Sequence, residues 1–324
     1  MTLTSAPMVN HLSPEQGRTL RVMSDRITFK VTAVETNQAF SLFETVTPPQ
    51  GGTPPHLQQQ EDEAFYVLEG SYTFLVGAQR HTLTAGSFAF IPRGTVHAFT
   101  NTGDTPARML IMTTPGGIHE QFFSAVGTPW DDQAAPAIPD IPRLVAAAQQ
   151  HGIVILPPDA APQPAVQSAG TAMVYPAGAG STRVHVQGAT VTYKVDSADT
   201  DGEWALIEYT APPRFRGPAP HWHRQTIEVF YLLTGSLTFE VAGETFQAGR
   251  GSTLVIPPGV VHTLHNPTSE PATYLTFFAP GGFARYFEEL AFLMASEPIW
   301  PPADMGKLTA LTAKYDQFSP DARR

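Results

Sequence analysis

Histidine and glutamate recur at short, regular spacings in the second half of the chain. One residue separates His221 from His223, Glu228 follows five positions later, and His262 lies farther along. Three imidazole nitrogens and one carboxylate oxygen suit a divalent transition ion, namely Fe, Mn, Cu, Ni, Co or Zn. Because the chain has no cysteine, a thiolate ligand, a disulfide and a cysteine nucleophile are excluded. The pattern predicts a metal centre ligated by nitrogen and oxygen alone.

The first half carries a related but incomplete set. His56, Glu63 and His97 repeat the spacing of three of these residues, but Gln58 takes the place of the second histidine. Two histidines and one carboxylate bind non-haem iron in other folds, whereas an amide offers only a neutral oxygen or nitrogen. The sequence therefore allows two alternatives for the first half, a weaker metal site or a metal-free pocket. The other histidines fall outside ligand spacing and are expected at the surface or in turns: His11, His81, His119, His151, His185 and His265.

Both sets lie within a duplicated segment. Residues 56–101 reappear as residues 221–266 at a constant offset of 165, without a gap. The matched positions include glycines and prolines: His56, Glu63, Gly70, Gly86, Pro92, Gly94, His97 and Asn101 fall on His221, Glu228, Gly235, Gly251, Pro257, Gly259, His262 and Asn266. The repeat predicts an N-terminal domain over residues 1–133, a Pro/Ala-rich linker with a short helix over 134–170, and a C-terminal domain over 171–324.

Short strands joined by turns must position these side chains. The sequence has 26 glycines and 31 prolines, spread among alternating Val, Thr, Phe and Tyr, which is typical of an all-β fold. The segment Phe230–Leu233 and its copy in the first half are predicted strands, each followed by a glycine-bearing hairpin. Since side chains alternate along a strand, His221 and His223 share one face, and Glu228 shares its face with Phe230. If that face is a barrel lumen, the four ligands project into an apolar cavity.

These motifs resemble those of the cupin superfamily. In the second half, residues 221–235 resemble the first cupin motif: His-x-His is followed by four residues, Glu, six residues and Gly. Residues 251–266 resemble the second motif. The first half has the same second motif and departs from the first only at Gln58. The chain is accordingly identified as a bicupin. The resemblance implies an all-β fold of two tandem cupin barrels, of the double-stranded β-helix or jelly-roll type, with short helices after each barrel.

Among bicupins, the chain is similar to the quercetin 2,3-dioxygenase (quercetinase) group. The similarity extends to the segment after each barrel, where Pro115-Gly116-Gly117 precedes Phe122-Phe123 and a matching Pro-Gly-Gly precedes Tyr286-Phe287. This resemblance implies a metal-dependent dioxygenase, an oxidoreductase that opens the ring of a flavonol or another hydroxylated aromatic compound with O2 and releases carbon monoxide.

The same resemblance assigns roles to individual residues. The metal would hold the flavonol hydroxyl, and Glu228 would accept its proton. Phe230, Leu264 and Phe277 are expected to line an aromatic substrate pocket, although the same side chains could equally be ordinary core. Gln58 departs from bicupins with two full sites, which puts any activity of the first domain in doubt.

Two other functions remain open from the sequence. One is a bicupin decarboxylase or oxidase of a small acid such as oxalate, which usually has two complete sites and needs a compact polar pocket with a cation. The other is a non-catalytic cupin that binds a small molecule. Metal analysis distinguishes the non-catalytic protein, and assays with quercetin and oxalate distinguish the two enzymes.

The composition limits the partners. A chain of 324 residues with 42% hydrophobic content can bury two cores. Its formal net charge of -10 argues against a nucleic-acid surface. No signal-peptide core and no long apolar stretch is found, so we expect a cytoplasmic protein that does not bind membranes. The expected partners are a small-molecule substrate and O2, and a homodimer is plausible because exposed strand edges invite pairing.

Overall fold

The computed structural model describes residues 9–133, 140–157 and 170–323. In chain order, residues 9–175 contain the strands β1 (Asn10–Leu12), β2 (Thr19–Val22), β3 (Asp25–Val31), β4 (Ser41–Thr47), β5 (Gly52–Gln58), β6 (Asp62–Glu69), β7 (Ser71–Val76), β8 (Gln79–Thr84), β9 (Phe88–Ile91), β10 (His97–Asn101), β11 (Ala107–Thr114), β12 (Thr128–Pro129), β13 (Ile153–Ile155) and β14 (Met173–Tyr175). The helices of this segment are α1 (Ile118–Val126) and α2 (Ile141–Gln150).

The second half repeats this order. Its strands are β15 (Arg183–Val186), β16 (Ala189–Val195), β17 (Ala205–Ala211), β18 (Trp222–His223), β19 (Ile227–Thr234), β20 (Ser236–Val241), β21 (Glu244–Gly249), β22 (Thr253–Ile256), β23 (His262–His265), β24 (Ala272–Ala279) and β25 (Gln317–Phe318). Its helices are α3 (Tyr286–Ser296) and α4 (Met305–Lys314), with short 3₁₀ turns at Ser197–Thr200, Gly281–Arg285 and Pro320–Arg323. The prediction of an all-β fold with few short helices is confirmed.

Each repeat forms antiparallel sheets around its own core. In the first, an eight-stranded sheet in the order β12-β2-β3-β4-β11-β6-β9-β14 accompanies a five-stranded sheet in the order β13-β5-β10-β7-β8. In the second, the sheets are β1-β22-β19-β24-β17-β16-β15, β21-β20-β23 and β18-β25. Inward-facing aromatic and aliphatic side chains fill one core cluster in each repeat. Two tandem jelly-roll barrels are therefore confirmed.

The glycine after each central strand does not form the predicted hairpin. β6 belongs to the eight-stranded sheet and β7 to the five-stranded sheet, so the chain turns a corner between sheets at Gly70. Gly70 and Gly235 have φ values of 79° and 75°, a region that glycine adopts without strain. A Cβ atom at Gly70 would lie 2.6 Å from the Cβ of Ala107. The corner therefore needs glycine for both its backbone angle and the close packing.

The tail of each repeat is a helix followed by a short strand. Asp140 caps α2 by accepting a hydrogen bond from the backbone N–H of Arg143 at 3.0 Å, and Asp304 caps α4 through the N–H of Gly306 at 2.9 Å. β13 then pairs with β5, and β25 pairs with β18. The helix predicted within the linker thus packs with the first barrel, in the same way as α4 with the second.

The compact units do not follow the repeat boundaries at their ends. One unit is Gln16–Ala179, and the other joins Gly180–Arg324 to the segment that ends at Glu15. β1 pairs with β22, and β14 pairs with β9, so each of these short strands adds to the sheet of the other repeat. In the predicted linker, residues 134–139 and 158–169 lie outside the described residues. The division into 1–133, 134–170 and 171–324 stays a prediction.

Within the part of the chain that the structure describes, no helix has the length and apolar character needed to cross a membrane. The cytoplasmic location and the homodimer stay predictions.

Candidate metal centres

The four predicted ligands of the second repeat come together inside its barrel. His221 and His262 face each other in a backbone bridge, in which the N–H groups donate to the opposite carbonyl oxygens at 3.0 and 2.8 Å. His223 ends β18, and Glu228 is the second residue of β19. All four side chains are buried, and their donor atoms lie within 4.8 Å of one another. Three strands from three different sheets, β18, β19 and β23, together with His221 therefore aim their side chains at one point.

Backbone carbonyls orient the three imidazole rings. His221, His223 and His262 each place Nδ1 at hydrogen-bond distance from a carbonyl oxygen, that of Ala219 at 2.9 Å, Asp316 at 3.0 Å and Val260 at 3.0 Å respectively. A carbonyl oxygen only accepts hydrogen bonds, so each Nδ1 carries the proton and donates it. The Nε2 atoms face the common point, which is the arrangement in which a neutral histidine binds a metal.

The carboxylate of Glu228 lies directly against two of the imidazoles. Its Oε2 atom is 2.6 Å from Nε2 of His262 and 3.3 Å from Nε2 of His223. Burial would raise the pKa of Glu228, but the neighbouring imidazoles outweigh burial and hold that pKa well below its usual range. Glu228 is therefore ionised at neutral pH. It offers the negative charge that a divalent cation requires.

His221 differs electrostatically from His223. Burial, reinforced by the nearby His262, lowers the pKa of His221 to about 3. Burial also opposes the charged form of His223, yet the carboxylate of Glu228 outweighs it and raises the pKa of this ring. His221 is neutral at physiological pH and keeps a free lone pair. His223 is the imidazole most strongly coupled to the carboxylate charge.

This donor set fits a divalent transition ion. The buried Nε2 of His223 has no hydrogen-bond partner, and burying such an atom unsatisfied is costly. A proton or a cation must lie between the crowded imidazole nitrogens and the carboxylate oxygen. Three nitrogens and one carboxylate without sulfur match Fe, Mn, Cu, Ni, Co or Zn.

A cavity of about 330 Å³ adjoins three of the four donor residues, His221, Glu228 and His262. Phe230 and Leu264 line it as expected, but Phe277 does not, whereas its neighbours Thr276 and Phe278 do. Glu228 pairs in register with Phe278 on β24, and paired residues share one face of a sheet. Alternation therefore directs Phe278 into the lumen and Phe277 to the opposite face. The placement of Phe277 in the pocket is wrong by one residue.

The tail of the second repeat forms one wall of this cavity. Met305 and Leu308 of α4 line it together with Phe318 of β25. Further aromatic surface comes from the barrel strands, the 3₁₀ turn Gly281–Arg285 and α3, through Tyr209, Tyr274, Phe283, Tyr286 and Phe287. None of the described residues that line the cavity is a lysine or an arginine. Among the described lining residues, apolar and aromatic side chains thus predominate, and a histidine is the only type that can carry a positive charge.

The first repeat retains part of this arrangement. The donor atoms of His56, Glu63 and His97 lie within 4.8 Å of one another, and all three residues are buried. His97 Nε2 is 2.7 Å from Oε2 of Glu63, and the amide nitrogen of Gln58 donates to the same oxygen at 3.0 Å. Burial lowers the pKa of His56 to about 3, with further lowering by His97. Gln58 thus acts toward the carboxylate as a hydrogen-bond donor.

His119 is a further histidine beside this cluster, and its expected position at the surface is wrong. It is 5% exposed at the beginning of α1. Its Nδ1 lies 2.6 Å from Oε2 of Glu61, and its Nε2 lies 3.7 Å from Oε1 of Glu63. His56, Gln58, Glu63 and His119 all line one cavity of about 90 Å³. The other five histidines outside the motifs are partly or fully exposed.

The comparisons with known proteins agree with this duplicated architecture. The family model described as "Cupin domain" matches residues 43–113 and again residues 207–278. The chain is a bicupin. Both matched segments contain the central strands that carry the candidate ligands, from β4 to β11 and from β17 to β24.

The bicupin also resembles a curated enzyme over most of its length. It is 26% identical over 249 residues to quercetin 2,3-dioxygenase of Bacillus subtilis (strain 168), an alignment that covers 73% of this chain and 72% of that protein. A shorter match, 29% identical over 80 residues, joins 25% of the chain to 64% of an uncharacterised protein of Methanocaldococcus jannaschii. The first match relates the bicupin to an enzyme at low identity.

Solved structures resemble the bicupin across both barrels. A single-residue variant of oxalate decarboxylase from B. subtilis superposes with a TM-score of 0.58 at 17% identity, covering 92% of this chain and 85% of that one. Procruciferin, an 11S globulin from Brassica napus, gives 0.58 at 14% identity and 85% coverage of each chain. At such identities these likenesses establish the fold alone.

The spacing of ligand-type residues in the sequence did not predict two features of the bicupin sites. His119 reaches the first cluster from a helix that follows the barrel strands, and Asp316 reaches His223 from the C-terminal tail. The matching tails of the two repeats predicted similar helices, but they did not indicate that these helices contact the ligands. The contacts arise from tertiary packing between segments distant in sequence.

Proposed function

We propose that the C-terminal barrel is the active site of a metal-dependent dioxygenase that opens the ring of a flavonol or another hydroxylated aromatic compound with O2. The observation that carries this proposal is the cavity lined by His221, Glu228 and His262. Its volume of about 330 Å³ lies within the range of small-molecule sites. Its aromatic lining without lysine or arginine among the described residues favours a flat, uncharged ring over a small acid.

Four side chains would hold the ion. His221, His223 and His262 would bind through Nε2, since each Nδ1 is held by a backbone carbonyl, and Glu228 would bind through its carboxylate. A bound divalent ion would supply Lewis-acid chemistry at the hydroxyl group of the substrate and a place for O2 to react. Four protein ligands leave room for a reactant on a five- or six-coordinate ion.

Glu228 would act as the base. Its lowered pKa keeps it ionised, and it is buried at the end of the cavity, where a substrate hydroxyl approaching the donors would meet it. Proton transfer requires hydrogen-bond distance between the carboxylate oxygen and the hydroxyl. Accepting that proton turns the phenol-like hydroxyl into an electron-rich oxygen, which the reaction of the ring with O2 needs. The residue thus combines ligation and proton acceptance.

The apolar walls would orient the rings of the substrate. Phe230 and Phe278 reach the lumen from neighbouring strands of one sheet, and Phe283 packs against the ring of His223 with centroids 4.6 Å apart. Aromatic side chains prefer edge-to-face or offset packing with flat ligands. These walls would also exclude water from the reacting centre, which strengthens every electrostatic contact there.

Two findings support this reaction over the alternatives. The similarity to quercetin 2,3-dioxygenase of B. subtilis covers 73% of the chain. Oxalate decarboxylase shares the fold at 17% identity, but a small dicarboxylate needs a cation that the described lining does not supply. A non-catalytic binding protein would not need an ionised carboxylate buried against three oriented imidazoles.

The test is a flavonol assay on protein purified without chelators. With quercetin in air we expect loss of the flavonol absorption band together with release of carbon monoxide, and no change under nitrogen. His262→Ala should abolish turnover, whereas His265→Ala, on the same strand and partly exposed, should retain it. Carbon dioxide from oxalate, without reaction of quercetin, would make the protein a decarboxylase. Metal-free protein that binds quercetin unchanged would make it a binding protein.

A further inference from the structure

The N-terminal barrel lacks one motif histidine, but another element brings an imidazole to the same cavity. His119 lies in the first turn of α1 and is 5% exposed. It lines the cavity of about 90 Å³ that also contains His56, Gln58 and Glu63. Burying a histidine among ligand-type side chains is costly unless both ring nitrogens have partners. The partners of His119 therefore show what the ring can do.

Glu61 fixes the orientation of this ring. Its Oε1 accepts the backbone N–H of His119 at 3.1 Å, and its Oε2 accepts Nδ1–H at 2.6 Å. A histidine that binds a metal typically donates its other ring N–H to a carboxylate or carbonyl. The carboxylate leaves Nε2 directed toward Glu63, whose Oε1 is 3.7 Å away. His119 is thus held in the orientation of a metal ligand.

The two oxygens of Glu63 face different partners. Oε2 is near His97 Nε2 and accepts a hydrogen bond from Gln58, whereas Oε1 faces His119. Metal–ligand bonds of roughly 2.0–2.2 Å separate the donor atoms of one ion by about 3 to 4 Å. The 3.7 Å between His119 Nε2 and Glu63 Oε1 falls within that span. This distance suits one ion shared by His119 and Glu63. The donor atoms within 4.8 Å of one another are those of His56, Glu63 and His97, so the ring of His119 must shift toward them to complete the set.

The two repeats differ in a linked way at three pairs of equivalent positions. In the second barrel the histidine stands at 223, and the positions equivalent to Glu61 and His119 are Thr226 and Ala284. Threonine and alanine cannot provide a carboxylate-held imidazole. Where the motif histidine is lost, both members of the Glu61–His119 pair are present. The paired change indicates that one imidazole replaces the other.

We propose that His119 takes the place of the missing motif histidine, so that the N-terminal barrel binds a divalent transition ion through His56, Glu63, His97 and His119. The donor set is again three imidazoles and one carboxylate, assembled from β5, β6, β10 and α1. This site does not depend on the reaction proposed for the C-terminal barrel. Its cavity, about 90 Å³ against 330 Å³, is too small for a flavonol and suits an ion with water or a very small ligand.

The experiment isolates this site in the full-length chain. The double variant His221→Ala/His262→Ala removes two of the four C-terminal donors, and equilibrium dialysis against Mn²⁺ or Co²⁺ with elemental analysis then counts the remaining ions. We expect one ion per chain. In this background His119→Gln should weaken the affinity at least 10-fold, whereas His151→Gln should not. His151 is a matched control because it does not line this cavity, although its ring contacts Phe122, which does.

A rescue variant distinguishes ligation from a structural ion pair. Adding Gln58→His to His119→Gln restores a complete motif. The metal affinity should then return to its level before the His119→Gln change, and so should the number of histidine nitrogens detected by pulsed electron paramagnetic resonance of bound Mn²⁺. Thermal melts verify that each variant is folded. Absence of an ion in the His221→Ala/His262→Ala chain would overturn the proposal. So would a His119→Gln variant that binds as tightly as the His151→Gln control, and neither outcome bears on quercetin turnover at the other barrel.

Discussion

His223 donates Nδ1–H to the backbone oxygen of Asp316, 3.0 Å away and 93 positions later in the chain. The carboxylate of Asp316 in turn accepts the backbone N–H groups of Arg224, Gln225 and Thr226 at 3.0, 2.8 and 3.0 Å. Asp316 therefore fastens the C-terminal tail to the loop that joins two ligand-bearing strands. The tail orients a metal ligand as well as forming a wall of the cavity.

Asp316→Ala should weaken metal binding at the C-terminal site by about 10- to 100-fold, because outer residues that orient ligands typically contribute that much. It should also lower the free energy of unfolding by about 2 kcal/mol, since several backbone donors lose an acceptor. Asp316 has a φ of 62°, which asparagine tolerates better than alanine. Asp316→Asn should therefore retain more metal affinity and more stability than Asp316→Ala. Elemental analysis after dialysis and thermal melts measure these effects. Wild-type metal content in Asp316→Ala would show that the tail does not position His223.

The ligands of the second barrel could be predicted because strand geometry is regular. Alternation with period two puts His221 and His223 on one face, and the constant offset of the repeats identifies their equivalents. The prediction for Phe277 was wrong because it was off by one residue, and a shift of one residue along a strand moves a side chain to the opposite face. The pairing of β24 with its neighbouring strands, which places Phe278 opposite Glu228, fixes its register.

Long-range packing accounts for what the sequence did not indicate. His119 contacts Glu61 from 58 positions away, and no local spacing rule relates a helix after a barrel to a strand within it. The added strands β1 and β14 are three residues long, too short to give a pattern of their own. Such contacts depend on where the tails and linkers fold back. They therefore require the tertiary structure.

His221→Ala or His262→Ala should remove most of the metal from the C-terminal site and abolish turnover of the flavonol. Each removes a buried imidazole whose Nε2 faces the common point, and three remaining donors hold a transition ion much more weakly. Gln58→Ala should have far less effect on turnover, because its amide donates to Glu63 in the other barrel. Metal content per chain and the rate of quercetin loss measure both effects. If Gln58→Ala abolished turnover while His221→Ala preserved it, the first barrel would be the active site.

Asp25 is a buried carboxyl that should make the N-terminal barrel less stable as pH rises. Burial raises its pKa from 3.8 to about 7, although hydrogen bonds from Thr47 and Ser24 oppose the shift. Between these values the folded protein holds a proton that the unfolded chain releases. The stabilising contribution is complete below about pH 4 and is lost as pH approaches 7, by at most about 4 kcal/mol.

Asp25→Asn should remove this dependence on pH. The amide cannot ionise, so the variant should gain thermal stability over the wild type at pH 8 and much less at pH 5. Asp104→Asn, an exposed position in the same barrel, is the matched control and should show no difference between the two pH values. Thermal melting curves monitored by circular dichroism at both pH values provide the measurement. An equal gain for Asp25→Asn at both pH values would mean that Asp25 is ionised in the folded protein.

Phe278 and Phe277 are neighbours on β24 that face opposite sides of the sheet, and they test the assignment of the lumen. Phe278 lines the cavity beside the donors and Phe277 does not, while both are almost fully buried. Phe278→Leu should lower kcat/KM for quercetin about five-fold, since an aromatic contact is worth roughly 1 kcal/mol beyond its buried area. Phe277→Leu should lose similar stability in a thermal melt but keep kcat/KM within about two-fold. Neither change should alter the metal content, because neither side chain belongs to the donor set. An equal loss of turnover in both variants would show that substrate does not occupy the face on which Glu228 and Phe278 lie.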